Sequence, residues 1–114
     1  METRPWGYYE VLKQGKKFWI KTLTINPGAR LSLQSHKNRD EVWTVIQGKA
    51  VVDIYKSGNT VILDKSDTIF VGRETKHRIW NDSSDEHLII CEVALGNLDE
   101  NDICRYEDDY GRAK

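Results

Sequence analysis

The fold of this chain is decided by one stretch, Gly28 to Gly48, which reads GARLSLQSHKNRDEVWTVIQG. Within it, Gln34 and His36 are two residues apart, so on a β-strand both side chains point to the same face. Glu41 opens the next apolar run and can face them across a short turn, and His77 comes just before a third run. Two imidazole nitrogens and two oxygens suit a borderline divalent metal. The sequence therefore predicts a small barrel with a metal site made by Gln34, His36, Glu41 and His77.

The rest of the chain consists of short β-type runs separated by turn residues. No segment longer than a turn or two shows a 3.6-residue apolar period, and the spacing of the runs is typical of an all-β sandwich or barrel. The polar, acidic stretch from Asn97 to Arg112 is compatible with a strand, a helical turn or an arm. The predicted strands are Tyr8–Lys13, Phe18–Ile25, Arg30–His36, Glu41–Gln47, Lys49–Tyr55, Thr60–Leu63, Thr68–Val71, His77–Trp80 and His87–Val93.

Length and charge restrict the classes of function. A chain of 114 residues is expected to form a single domain. We expect an N-terminal edge strand at about 4–13, a barrel at about 17–95 and a polar tail at 96–114. A net charge of −1 gives no basic excess for binding nucleic acid or a membrane surface, and no apolar stretch approaches the ~20 residues of a membrane span. We expect a cytoplasmic protein with reduced cysteines; a disulfide between Cys91 and Cys104 is the alternative.

The spacing of the predicted ligands matches a known pattern. The first cupin motif is a Gly, five residues, a ligand, one residue, a His, four residues, a Glu, six residues and a Gly. It is read here as Gly28, Gln34, His36, Glu41 and Gly48, with Gln34 where the commonest version has a first His. His77 and Asn81 fit the His and Asn of the second motif. The chain thus resembles the cupin superfamily, which implies a small antiparallel β-barrel of the jelly-roll type.

Two further observations qualify that resemblance. The rest of the second motif is degraded, because Ser66, Gly72 and Glu74 stand where Gly, Pro and Gly are usual. We therefore expect the turn before His77 to be built differently. The third histidine, His87, matches no ligand position and is interpreted as an ordinary surface residue.

Longer segments resemble one family of cupins, the type II mannose-6-phosphate isomerases. In that family the module is usually the C-terminal half of a bifunctional enzyme whose N-terminal half is a mannose-1-phosphate guanylyltransferase. This sequence contains no such half, so we expect no nucleotidyl transfer from it. The resemblance implies isomerisation of mannose 6-phosphate to fructose 6-phosphate through an enediol(ate). The matching segments are Arg4–Gly7, Pro27–His36, Arg39–Trp43, Thr75–Arg78 and Asp102–Arg112.

The resemblance also implies roles for individual residues. By position, the ligands of one divalent ion (Zn, Mn, Fe, Co or Ni) would be Gln34, His36, Glu41 and His77. Arg39 would stabilise developing negative charge or bind phosphate, for which a guanidinium fork is suited. Lys21 would carry the proton if burial lowered its pKa, and a solvated strand lysine is the alternative. Arg105 and Arg112 would reach the phosphate, or else form salt bridges within the acidic tail.

One departure from the family concerns Glu41-Val42-Trp43, where the family usually has Glu-His-Trp. If Glu41 points into the barrel, strand alternation points Val42 outward and Trp43 inward. Valine at position 42 should therefore leave the metal ligands intact, while it removes a more distant or interface contact. Trp43 is a candidate wall for stacking a sugar, with a place in the barrel core as the alternative.

The leading interpretation is a metal-dependent phosphosugar isomerase. Two alternatives stay open: a non-catalytic sugar-phosphate-binding cupin, and a metal-dependent cupin enzyme of other chemistry, such as an oxygenase or a nucleotide-sugar epimerase. We also expect a homodimer formed by pairing or exchanging edge strands, because an exposed edge is a liability for a small β-domain. The Tyr8–Lys13 run is the candidate edge.

Overall fold

The structure, a computed structural model, describes residues 1–55 and 59–113. These residues form antiparallel β-strands and contain no helix of the length and apolar character needed to cross a membrane. The strands are β1 (Glu2–Arg4), β2 (Gly7–Gln14), β3 (Phe18–Ile25), β4 (Leu33–Ser35), β5 (Arg39–Gln47), β6 (Ala50–Ile54), β7 (Asn59–Leu63), β8 (Thr68–Val71), β9 (His77–Trp80), β10 (Leu88–Gly96) and β11 (Cys104–Glu107).

The strands form two sheets that enclose the core. One sheet has the order β1-β2-β3-β10-β5-β8 and the other the order β11-β4-β9-β6-β7. The predicted all-β barrel is therefore confirmed, and the runs predicted for β3, β8 and β9 have the bounds found in the structure. The sequence was compatible with a strand, a helical turn or an arm in the polar tail. In the structure this tail forms β11 at one edge of the second sheet.

Alternation along the strands places the core between the sheets. On β5 the side chains of Glu41, Trp43 and Val45 are buried, while Val42 and Thr44 between them are only half-buried. This confirms the prediction that residue 42 faces outward and Trp43 inward. Apolar side chains of both sheets fill the interior, among them Ile25, Val52, Ile79, Leu88 and Ile90.

The N-terminal strands form one edge of the larger sheet. The predicted edge run, Tyr8–Lys13, lies in β2, which is the second strand of that sheet. β1 pairs with the first part of β2, with Thr3 opposite Tyr8. β8 forms the other edge of the sheet, beside β5.

Two positions where the second cupin motif usually has glycine have positive φ angles in this chain, and the expectation of a differently built turn before His77 stays a prediction. Ser66 and Glu74 have φ angles of 78° and 65°, so both adopt the left-handed conformation that glycine would adopt. That conformation costs an L-residue about 1–2 kcal/mol because Cβ crowds the following carbonyl. The chain therefore accepts backbone strain at both positions.

Candidate metal centre

Three strands bring the predicted ligands together inside the barrel. His36 directly follows β4, Glu41 lies in β5, and His77 is the first residue of β9. Glu41 Oε1 is 3.8 Å from His36 Nε2 and 3.7 Å from His77 Nε2. The three side chains are buried, and their potential ligand atoms lie within 4.8 Å of one another. The structure thus assembles these three predicted ligands in one place.

Hydrogen bonds to backbone carbonyls fix the tautomers of both histidines. His36 Nδ1 lies 2.7 Å from the carbonyl oxygen of Asp102, and His77 Nδ1 lies 2.8 Å from that of Thr75. A carbonyl oxygen only accepts, so each Nδ1 carries the hydrogen and each Nε2 keeps its lone pair. Such contacts to the outer ring nitrogen orient metal-binding histidines in proteins.

The protonation states of His36 and His77 favour metal binding. Burial lowers the pKa of His77 to about 4, and burial together with the nearby Arg39 guanidinium lowers the pKa of His36 to about 4. Both imidazoles are therefore neutral at neutral pH, which is the form that binds a metal. Burial raises the pKa of Glu41, and the Arg39 guanidinium opposes that shift.

The donor atoms fit a divalent cation. Within the part of the chain that the structure describes, Glu41 Oε1 and His77 Nε2 are buried without a hydrogen-bond partner. Both atoms present lone pairs, so their approach to 3.7 Å is unfavourable unless a cation lies between them. Metal bonds of about 2.0–2.2 Å to each ligand span donor separations up to about 4.2 Å, which covers both observed distances.

The fourth predicted ligand, Gln34, lies beside this cluster. It is opposite His77 in the pairing of β4 with β9, so the two side chains share a face of the sheet. Its Oε1 accepts a hydrogen bond of 3.0 Å from Ser32 Oγ. Gln34 also lines the adjoining cavity together with Glu41.

Arg39 contacts two of the three clustered ligands. Its Nε donates to Glu41 Oε2 at 3.0 Å, and Nη2 lies 3.3 Å from His36 Nε2. Its guanidinium carbon lies 4.8 Å from the centre of the Trp19 ring. The predicted charge-stabilising arginine is therefore a fixed cation at the edge of the cluster.

Lys21 is buried, which rules out the alternative of a solvated strand lysine. Its Nζ donates to Glu100 Oε1 at 2.6 Å and lies over the rings of Trp19 and Tyr9, at 3.8 and 4.4 Å from their centres. The ammonium group therefore lies between a carboxylate and two aromatic faces. Lys21, Glu100 and Tyr9 all line the cavity next to the metal cluster.

The two tail arginines also line the cavity but differ in their contacts. Arg112 forms a two-point ion pair with Asp108, with distances of 2.8 and 3.0 Å, as the salt-bridge alternative predicted. Arg105 Nε is buried without a hydrogen-bond partner among the described residues. Burial and the neighbouring charge of Arg112 lower the pKa of Arg105. Arg105 thus retains one buried N–H donor that an anion in the cavity could satisfy.

Trp43 lies in the core rather than in the cavity wall. Its side chain is buried and meets the His77 ring edge to face, with ring centres 5.2 Å apart. The aromatic side chains that line the cavity are Trp6 and Tyr9. A sugar in the cavity would therefore contact those two rings. Trp43 instead packs against the His77 ring on the core side and holds that ring in position.

Sequence reasoning missed three acidic residues of the site, which are Glu92, Asp102 and the Glu100 described above with Lys21. Glu92 of β10 is buried, and Trp19 Nε1 donates to its Oε2 at 2.9 Å. Burial and the neighbouring Glu41 raise the pKa of Glu92 to about 7. Asp102 holds His36 through its carbonyl oxygen, and its carboxylate accepts the backbone N–H groups of Lys37 and Asn38, both at 2.9 Å. Strand alternation was the signal that could have identified Glu92 as an inward-facing acid, because it alternates with the inward-facing Ile90 and Ala94 on β10.

Comparison with known sequences shows the family of this chain. The family described as "Mannose-6-phosphate isomerase C-terminal" matches residues 2–108. Among similar proteins, the alginate biosynthesis protein AlgA of Pseudomonas aeruginosa is 41% identical over 110 residues, covering 96% of this chain and 22% of its own length. The xanthan biosynthesis protein XanB of Xanthomonas campestris is 37% identical, covering 96% of this chain and 23% of its own length. The chain thus spans less than a quarter of these relatives.

Solved structures with the same fold are more distant in sequence. KdgF from Halomonas sp. superimposes with a TM-score of 0.74 at 17% identity, covering 89% of this chain and 87% of that chain. The capsular polysaccharide assembling protein CapF from Staphylococcus aureus gives a TM-score of 0.76 at 18% identity, covering 94% and 34%. The Schizosaccharomyces pombe Cnp3 cupin domain gives 0.70 at 19% identity, covering 78% and 64%. These similarities establish the cupin fold.

Proposed function

The chain belongs to the family of mannose-6-phosphate isomerase C-terminal domains, and from that membership we propose that it interconverts mannose 6-phosphate and fructose 6-phosphate. The reaction moves a proton between C1 and C2 through an enediol(ate). The observation that carries this proposal is the convergence of His36 Nε2, His77 Nε2 and Glu41 Oε1 beside a cavity lined by Arg105, whose Nε has no hydrogen-bond partner in the described part of the chain. Glu41 of the cation cluster and Arg105 of the proposed anion site therefore line the same cavity.

The metal would be held by His36, His77 and Glu41, with Gln34 as the fourth ligand. Mixed nitrogen and oxygen donors admit Zn, Mn, Fe, Co or Ni, and availability decides among them. Such an ion supplies Lewis acidity to the substrate carbonyl and its neighbouring hydroxyl.

The arginines bind and stabilise negative charge at two places. Arg105 and Arg112 take the phosphate group, because Arg105 Nε has no hydrogen-bond partner among the described residues and guanidinium groups match phosphate geometry. Arg39 faces the metal cluster and stabilises the negative charge that develops on the enediolate oxygen. The sugar chain then lies between these positions, against Trp6 and Tyr9.

Proton transfer between C1 and C2 is assigned to Lys21. Its Nζ lines the cavity, and Glu100 Oε1, 2.6 Å away, can accept and return the proton that Lys21 passes. Glu100 lies in the C-terminal strap, by which we mean residues 97–103 between β10 and β11. The cavity has a volume of about 90 Å³ with the strap in this position, whereas ligand sites commonly measure about 300–1,000 Å³. Binding of a hexose phosphate therefore requires the cavity to enlarge, and the Lys21–Glu100 contact must persist for Glu100 to serve in proton transfer.

The proposal is tested by formation of fructose 6-phosphate from mannose 6-phosphate by metal-loaded protein. In D₂O, proton NMR of the substrate C2 position gives a second readout, since an isomerase exchanges that proton with solvent. We expect His77→Ala to abolish both signals and His87→Ala, a histidine outside the cluster, to retain both.

Other results would select other functions. Saturable sugar-phosphate binding with no C2 exchange, with each candidate metal, would indicate a non-catalytic binding module. Oxygen consumption with iron would indicate an oxygenase. Cys91 and Cys104 are free thiols in the structure, which suits the reducing cytoplasm where this reaction would take place. The phosphosugar is the partner proposed here, with neither nucleic acid nor membrane involved.

A further inference from the structure

The three clustered metal ligands differ in how firmly the two sheets hold them. Glu41 lies inside β5, which pairs with β10 on one side and with β8 on the other. His77 lies in β9 and is paired with Gln34 on β4 and with Ile54 on β6. His36, by contrast, follows the three-residue strand β4 and lies in the loop that leads to β5. The position of its ring therefore depends on contacts from outside the sheets.

Asp102 of the C-terminal strap supplies three such contacts. Its carbonyl oxygen accepts a hydrogen bond from His36 Nδ1 at 2.7 Å. Its carboxylate accepts the backbone N–H of Lys37 at Oδ1 and that of Asn38 at Oδ2, both at 2.9 Å. The backbone N–H of Glu74 also donates to the His36 carbonyl at 2.6 Å, which holds the His36 backbone rather than its ring. One residue of the strap thus holds both the His36 ring and the two peptide groups that follow it.

The strap itself is a compact turn attached to the same loop at both of its ends. The backbone N–H of Asp102 donates to the Asp99 carbonyl at 2.9 Å, and the backbone N–H of Asn101 donates to the Asp99 carboxylate at 2.9 Å. At the start of the strap, the backbone N–H of Asn97 donates to the Asn38 carbonyl at 3.0 Å. The strap and the loop after His36 are therefore joined into one unit.

We infer that, given the metal centre of the proposed function, Asp102 is a positioning residue for that metal. Its carboxylate fixes the loop after His36, and its carbonyl oxygen then holds the His36 ring with Nε2 facing Glu41 and His77. The hydrogen bond at one ring nitrogen decides which nitrogen is free to bind a metal and how the ring is oriented. Hydrogen bonds to a carboxylate are roughly twice as strong as those between neutral groups, so the two carboxylate contacts keep the carbonyl in place.

Coupling between the strap and the metal acts in both directions. If attachment of the strap raises metal affinity by some factor, the metal must stabilise the attached strap by the same factor. Loss of the partner that orients a metal-binding histidine lowers metal affinity about 10- to 100-fold. We therefore expect the metal to protect the backbone N–H groups of Lys37 and Asn38 from hydrogen exchange by a similar factor, because both donate to Asp102.

The test measures the zinc affinity of the full chain by competition with a chromophoric chelator. Asp102→Ala removes both carboxylate contacts and should weaken zinc binding about 10- to 100-fold. Asp102→Asn removes the charge but keeps one acceptor oxygen, so its affinity should lie between those of the Ala variant and the wild type. Asp67→Ala is the matched control, because Asp67 also accepts a backbone N–H, that of Asp64 at 2.8 Å, in the turn between β7 and β8. It should leave zinc affinity unchanged.

Two further measurements separate positioning from a purely structural role. Urea unfolding of the zinc-free proteins should show a loss of stability in both Asp102→Ala and Asp67→Ala, since each loses carboxylate contacts to the backbone. Only Asp102→Ala should also lose zinc affinity. In the wild type, saturating zinc should slow hydrogen exchange at Lys37 and Asn38 about 10- to 100-fold, as followed by NMR. Asp102→Ala should lose this slowing.

Several results would overturn the positioning role. Wild-type zinc affinity in a folded Asp102→Ala variant would do so, as would wild-type exchange at Lys37 and Asn38 that zinc does not change. Equal losses of affinity in Asp102→Ala and Asp102→Asn would show that Asp102 acts through its charge alone, which also overturns it. In each of these cases the wild type still binds zinc, so the metal centre stands. A wild type that binds no zinc overturns both. Isomerisation of mannose 6-phosphate enters none of these readouts.

Discussion

Replacing Arg105 with glutamine separates ligand binding from folding more cleanly than any other change at the site. Because Arg105 Nε has no partner among the described residues, Arg105→Gln removes no such internal bond. It also relieves the charge that Arg112 places beside it, so the free energy of unfolding should change by less than about 0.5 kcal/mol. A hydrogen bond to a charged group contributes about 1.5–3 kcal/mol, so phosphate binding should weaken about 10- to 100-fold.

Calorimetric titration of the metal-loaded protein measures this effect. Fructose 6-phosphate should bind the variant about 10- to 100-fold more weakly than the wild type, in line with the loss of one charged contact. Fructose, which lacks the phosphate, should bind both proteins equally. Urea unfolding then gives the free energy of unfolding of each protein. Unchanged affinity for fructose 6-phosphate in a folded, metal-loaded variant would refute the assignment of Arg105 to the phosphate.

Arg112→Gln provides the contrasting case. Arg112 holds the enclosed carboxylate of Asp108 at two points, so its loss leaves that carboxylate without its cation. We expect destabilisation of about 1–3 kcal/mol in addition to weaker phosphate binding. If both variants were equally stable, the structural distinction between the two arginines would be incorrect.

Three other predictions follow from the site and the turns. His36→Ala and His77→Ala should each lose the metal, as measured by elemental analysis, yet keep the β-sheet circular dichroism; full metal content in either would contradict the ligand assignment. Glu74→Gly should raise the free energy of unfolding by about 0.5–1 kcal/mol in urea, because relief of left-handed strain exceeds the entropy cost of glycine. The pKa of Glu92, raised to about 7 when folded, stabilises the fold at low pH, and this contribution is lost as pH rises through 7. From pH 6 to pH 8, the wild type should therefore lose about 1 kcal/mol relative to Glu92→Gln, and parallel pH profiles would contradict that pKa.

Much of the fold could be predicted because strand alternation is a local property. The bounds of β3, β8 and β9, and the inward direction of Glu41 and Trp43, follow from residues that are close in sequence. Most of the metal cluster was predictable for a related reason. Gln34, His36 and Glu41 lie at fixed intervals between Gly28 and Gly48, and those intervals match a known motif. The strain at Ser66 and Glu74 was not predictable from residue preferences, because tertiary contacts impose the left-handed conformation there.

The contributions of the C-terminal strap could not be predicted from the sequence. Asp102 contacts His36 across 66 positions, and Glu100 contacts Lys21 across 79. The strap is polar and aperiodic, so neither a two-residue nor a 3.6-residue period indicates where its side chains go. Only the path of the chain between β10 and β11 brings these acids to the cavity. Glu92 could have been predicted from the sequence, because strand alternation along β10 directs its side chain inward together with those of Ile90 and Ala94.

The buried polar groups around Glu41 are themselves an argument for a binding site. Removing ionised groups from water costs several kcal/mol, and apolar side chains of the same volume would join β4, β5 and β9 without that cost. Arg39 compensates Glu41 Oε2, but it leaves Oε1 facing His77 Nε2. A cation between them removes that imbalance, as an anion does for Arg105. Glu41 and Arg105 line the same cavity, and each of these two electrostatic imbalances is relieved by a component that the proposed reaction requires: the metal and the substrate phosphate.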